Sequence, residues 1–135
     1  LAPQSILWGR DNRGAILRVI GHPGDGATRI ENRIGEPVAN PYLYMASQIH
    51  AGLDGMTRGL KAPPASDAPY DERNARLPTS LGEALDALQA DTALIEGLGE
   101  DFVNYFIHIK RQELRRWSEA EDKADWQRRE YFSRF

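Results

Sequence analysis

The hydrophobic pattern of the chain changes period once. Up to about residue 34 polar and apolar positions alternate in short runs, and from residue 41 onward apolar positions recur at helical spacing. Within residues 28–34, Arg29, Glu31 and Arg33 take the odd positions and Ile30 and Ile34 the even ones. A strand there puts the three charges on one face and the isoleucines on the other, with Ile30 expected to be buried. Residues 15–20 read as a second strand, rich in branched side chains, with Ile16, Arg18 and Ile20 on one face. Arg18 is expected to point to the same side as Arg29, Glu31 and Arg33. Residues 5–9 form a third short apolar run, and the Gly- and Pro-rich loop 21–26 joins the two later strands as an antiparallel pair.

After Asn40 and Pro41, a cap followed by a first helical residue with no N–H to lose, the pattern predicts a helix to about residue 53. Tyr42, Met45, Ala46, Ile49 and Leu53 form one stripe and are expected to be core, with His50 beside them as a packing or hydrogen-bonding residue. Gly52 and Gly55 are expected to stop the helix. Pro63, Pro64 and Pro69 make residues 61–78 a loop. Ser80 and Glu83 spell a capping box, residues 91–96 a short helix closed by Gly97, and residues 100–117 a long helix. Phe102, Phe106 and Ile109 line one side of that helix and Val103, Ile107 and Leu114 another. Lys110, Arg111, Arg115 and Arg116 near its end suit the helix dipole and read as a solvated cluster. The aromatic residues Trp126, Tyr131 and Phe132 of the tail are expected to fold back. The fold class is therefore α+β: a small antiparallel sheet over about residues 5–34, followed by a helical C-terminal half.

Composition narrows the functional classes. The 135 residues suffice for one domain with a modest core. A net charge of −3 argues against a nucleic-acid partner held by a basic surface. The absence of cysteine excludes thiolate catalysis and cysteine metal sites. No apolar run reaches membrane-spanning length and no leader pattern opens the sequence, so a cytoplasmic location without a membrane partner is expected.

The charged strand face admits two readings. One is a solvated face whose charges neutralise each other, each exposed pair being worth about 0–1 kcal/mol. The other is an anion-plus-metal site, with arginines for phosphate or carboxylate oxygens and Glu31 for a divalent cation.

The wording of these blocks resembles the glutamine synthetase superfamily. Arg29-Ile30-Glu31-Asn32-Arg33 matches its R-x-E-x-R strand, and Ala39-Asn40-Pro41-Tyr42-Leu43 the A-N-P-Y-L helix start. Ala51-Gly52-Leu53-Asp54-Gly55-Met56 is close to A-G-L-D-G-I, and Asp11-Asn12-Arg13-Gly14-Ala15-Ile16-Leu17-Arg18 resembles R-N-R-S-A-x-x-R. The stretch Leu77–Leu85 resembles L-P-x-S-L-x-E-A-L, and the tail from Asp125 to Tyr131 the closing D-W-E-x-x-E-Y. The resemblance implies an ATP- and Mg2+- or Mn2+-dependent carbon–nitrogen ligase that joins glutamate to ammonia or an organic amine through γ-glutamyl phosphate. It also implies a large homo-oligomer with sites between subunits. The alternative is a non-catalytic interaction or structural module that keeps the fold.

By motif, the resemblance implies that Arg13 contacts the transferring phosphate and glutamate, and that Arg18 and Arg29 hold nucleotide phosphates. Arg33 would clamp a glutamate carboxylate and Glu31 would bind one divalent metal. Two departures stand out. Gly26 replaces a lysine the family often has there, and Ile34-Gly35-Glu36-Pro37 replaces F-P-D-P, a variation commoner in members that use organic amines. Tyr70 lies near the place of a tyrosine adenylylated in some bacterial members, but its flanks differ and no modification is expected. The sequence begins at Leu1 without an initiator Met, and the matching blocks fall in the last third of family chains. Residues 1–135 are therefore expected to be the C-terminal part of a longer catalytic domain, inactive alone.

Overall fold

The computed structural model describes residues 3–132 and falls into two units, Leu1–Ala39 with Leu60–Leu77, and Asn40–Gly59 with Pro78–Phe135. The α+β class holds, with the described strands in the first unit and the described helices in the second.

In the first unit β1 (Trp8–Arg10), β2 (Leu17–Ile20) and β3 (Arg29–Asn32) lie in that order. β2 and β3 are antiparallel as expected, with Arg18 opposite Glu31 and Ile20 opposite Arg29. β1 runs parallel to β2, Trp8 opposite Leu17 and Arg10 opposite Val19, so the sheet is mixed and not antiparallel throughout. Parallel neighbours normally need a long crossover. Here β1 is so short that residues 11–16 can turn the chain back. Asp11 begins the reversal in the left-handed region at φ 47°, and the Gly14 N–H donates to Asn12 Oδ1 at 2.9 Å.

The loop over residues 60–77 covers the free edge of β1, a place where unpaired backbone groups would otherwise invite another strand. Ser66 N donates to Trp8 O at 2.9 Å and Trp8 Nε1 to Pro63 O at 2.7 Å, and Ser5 bridges Arg76. Gly14 lies under this loop, so close that an added Cβ would stand 2.6 Å from Pro69 Cγ. Ala15 and Ile16 are buried, but Ile30 is 68 % exposed, against expectation. β3 is the last strand of the sheet, and among the described residues of this unit no helix lies against the face that Ile30 occupies.

In the second unit α1 (Pro41–Thr57) begins where the Asn40–Pro41 signal placed it. Asn40 Oδ1 accepts from Tyr42 N at 3.0 Å and Leu43 N at 3.2 Å. The helix continues through Gly52 and Gly55, which do not stop it, and ends at Arg58, followed by Gly59 with φ 60°. The stripe expected to be core is not core. α1 has no buried residue, and Tyr42, Met45, Ile49 and Leu53 are all exposed, Tyr42 by 77 %. Helical spacing shows that a stripe is apolar, but not that the chain supplies a partner for it. α1 instead packs on α3 (Thr92–Leu98) through His50, whose ring would lie 2.5 Å from a Cβ added at Gly97.

The core of this unit is Leu85, Val103 and Ile107, from α2 (Leu81–Ala90) and α4 (Glu100–Glu119), with Leu88, Ile95, Leu98 and Phe106 around it. The capping box forms: Glu83 N donates to Ser80 Oγ at 3.2 Å, while Glu83 Oε2 accepts from Thr79 N at 2.7 Å and Thr79 Oγ1 at 2.9 Å. α3 includes Gly97 and closes at Gly99, φ 93°. The tail, α5 (Lys123–Gln127) and a π-helical turn (Arg128–Phe132), folds back on α4. Tyr131 Oη donates to Glu113 Oε2 at 2.9 Å, Lys110 Nζ reaches the same oxygen at 2.8 Å, and Arg116 pairs with Glu130 at 2.9 Å. Trp126 and Tyr131 meet edge to face, whereas Phe132 stays exposed. Much of the basic cluster on α4 therefore anchors the tail or, through Arg111, binds Asp86, and is not merely solvated. Among the described residues no helix is long and apolar enough to cross a membrane.

Candidate functional site

The antiparallel register of β2 and β3 places Arg18 directly across from Glu31, and the period of two along β3 brings Arg29 and Arg33 to the same side. Glu31 becomes the hub. Its carboxylate lies 3.2 Å from Arg18 Nη1, 3.7 Å from Arg29 Nη2 and 3.5 Å from Arg33 Nη1. The shared charged face expected from alternation is present. Arg33 is fixed further by donating from Nε to the carbonyl of Arg13 at 3.0 Å, and Arg29 donates from Nη1 to Ala27 O at 3.1 Å. Arg13 thus joins the cluster through its backbone, while its side chain is exposed and outside these ion pairs.

Asp11 is the member that pattern reading missed. It pairs with Arg18 Nη2, so that Arg18 is held by one acid from each neighbour. The only signal for it was register: Arg10 lies opposite Val19, which sets the next residue of the chain beside β2. The Arg18 guanidinium is raised above the ordinary arginine value, first by its hydrogen bond to Asp11 and also by Glu31, against an opposing effect of burial. Its Nε is buried and, among the described residues, has no hydrogen-bond acceptor.

This arrangement presents three permanently charged, fork-shaped donors around one carboxylate, a design suited to phosphate or carboxylate oxygens. It does not by itself suit a divalent metal. Glu31 is one carboxylate already shared by three arginines, and no group of three His, Asp or Glu among the described residues is placed to hold an ion. Two cavities, of about 450 and 160 Å3, are lined by residues of the second unit and by none of these residues.

Fold and charged strand together define the class: this chain belongs to the glutamine synthetase family, a family of ligases, and the family model of the glutamine synthetase catalytic domain matches residues 1–131. Among its relatives, the gamma-glutamylanilide synthase of an Acinetobacter species is 45% identical over 145 residues, covering 98% of this chain and 29% of that enzyme. Human lengsin is 39% identical over 110 residues, 79% of this chain and 21% of that protein. A solved structure, the GmaS/ADP complex in conformation 1, superposes with a TM-score of 0.76 at 29% identity, over 98% of this chain and 30% of that one. The chain spans less than a third of the length of these proteins.

Proposed function

We propose that this chain supplies the arginine-rich side of an ATP-dependent glutamate–amine ligase site, of the kind that forms glutamine or a γ-glutamyl amide through γ-glutamyl phosphate. The observation that supports this reading is the convergence of Arg18, Arg29 and Arg33 on Glu31 on one sheet face. Similarity to an enzyme named for a γ-glutamyl anilide and to a structure titled as an ADP complex points the same way.

In this reading Arg18 and Arg29 bind nucleotide phosphates, and Arg33, steadied by the Arg13 carbonyl, clamps a glutamate carboxylate. Arg13, whose side chain is free to swing from the β1–β2 turn, contacts the transferring phosphoryl group and glutamate. Transfer of a phosphoryl group concentrates negative charge on its oxygens, and fixed guanidinium groups stabilise that charge without reorganising. Glu31 sets the spacing of the arginines. As one carboxylate it offers a divalent cation a single ligand. Residues 1–135 act as the C-terminal part of the catalytic domain, and the amine is an organic amine or ammonia. The protein works in the cytoplasm as a homo-oligomer whose sites lie between subunits.

Titration of the chain with ATP tests the reading. Weak binding that falls steeply with salt is expected, together with a loss of about ten-fold on Arg29→Gln. An assay of phosphate release with glutamate and ammonium is expected to show no turnover by this chain alone. Turnover, or ATP binding indifferent to Arg29→Gln, would place the site elsewhere.

A further inference from the structure

The Arg18 guanidinium has two ways of meeting an anion, and the structure uses them unequally. Its Nη1 is satisfied by Glu31 across the strand pair, at 3.2 Å. The other edge, formed by Nη2 and Nε, is the fork that accepts two oxygens side by side. There Asp11 engages Nη2 only, and Nε is buried with no acceptor among the described residues. A half-used fork next to a solvent-facing acid calls for an explanation, because a buried donor left unmet is costly.

We infer that the Asp11 carboxylate is an internal stand-in for the anion: it occupies the outer fork of Arg18 and is displaced when two phosphate oxygens take Nη2 and Nε. Two observations separate this from a role for Asp11 in positioning Arg18. Arg18 is already oriented by Glu31, its cross-strand partner, and by its place on β2. The Arg18 side chain is only 14 % exposed while that of Asp11 is 76 % exposed, so Asp11 is the partner that an incoming anion can replace from solvent. Asp11 sits in the left-handed region at φ 47°, where the backbone turn, held by its own N–H to Val19 O at 2.9 Å, sets its position without the Arg18 contact. The inference rests on the phosphate-binding reading of the cluster and adds to it a built-in competitor that sets the affinity threshold.

The test uses inorganic pyrophosphate as the probe, with calorimetric titration of the wild-type chain, Asp11→Asn and Asp11→Gly. Asn tolerates the left-handed region about as well as Asp, and Gly adopts it freely, so both variants suit the turn. Each variant is expected to bind pyrophosphate about two- to five-fold tighter than wild type, the scale of removing one exposed ion pair. The Arg18 Nε–H resonance is expected to shift as pyrophosphate is added, in the wild-type chain as well. Wild-type binding that is unchanged or weakened in both variants, or an Arg18 Nε–H signal that stays fixed in the wild-type chain while pyrophosphate binds, overturns the stand-in role and leaves the phosphate reading intact. Pyrophosphate that binds none of the three chains overturns both.

Discussion

At the scale of single residues, the cluster shows what alternation can and cannot foretell. Placing Arg29, Glu31 and Arg33 on one face needed only the period of two, and adding Arg18 needed only the pairing of two neighbouring strands. Asp11 reached Arg18 through a left-handed turn and a parallel register, neither of which is written in local pattern. Gly14 illustrates the same limit. It reads as one more turn glycine, yet its lack of a Cβ is what lets Pro69 and Tyr70 close over it. Gly14→Ala would set a methyl 2.6 Å from Pro69 Cγ and 3.0 Å from Tyr70 Cζ, forcing the loop away. A loss of about 1–3 kcal/mol is expected, with faster proteolytic cleavage within residues 60–77 as the direct readout. Cleavage at the wild-type rate would mean that the loop is not held at this point.

At the scale of elements, starts were more legible than ends. Asn40 with Pro41, Ser80 with Glu83, and Asp91 each opened a helix through a side chain that accepts from the first free N–H groups. Glycines misled at the other end: Gly52, Gly55 and Gly97 all lie inside helices, and the chain left the helix at Arg58 and Gly99 instead. The capping box at α2 carries a pH dependence. The Thr79 backbone N–H, then its hydroxyl, hold the Glu83 carboxyl below its ordinary value of 4.5. Because the folded value is the lower one, this contribution is present above pH 4.5 and is lost as pH falls through the depressed value. Far-ultraviolet circular dichroism over an acid titration is expected to show wild type losing helix as pH drops below that range. Glu83→Gln should start lower and vary less there; equal slopes for the two chains would remove the box from the account.

At the scale of the whole molecule, the buried apolar residues among those described are few, and they do not coincide with the most regular apolar stripe. Leu85, Val103 and Ile107 form the helical core, whereas the α1 stripe from Tyr42 to Leu53 is exposed. The two sets therefore make opposite predictions for equivalent truncations. Leu85→Ala, at 2 % exposure, is expected to cost about 2–5 kcal/mol in urea denaturation. Ile49→Ala, exposed on α1, is expected to stay within about 0.5 kcal/mol of wild type. A large loss at Ile49 would show that the α1 stripe is covered in solution.

The sequence by itself determined the class of the fold, the helix starts, the family and the charged face of β3, because each follows from local periodicity, capping chemistry or a run of matching residues. Tertiary structure decided the parallel pairing of β1, the exposure of Ile30 and of the α1 stripe, the anchoring of the tail at Glu113, and the hold of Asp11 on Arg18. The physical reason is common to all of them. A side chain's own pattern fixes the direction in which it points along a strand or helix, but whether anything lies in that direction depends on residues distant in the chain.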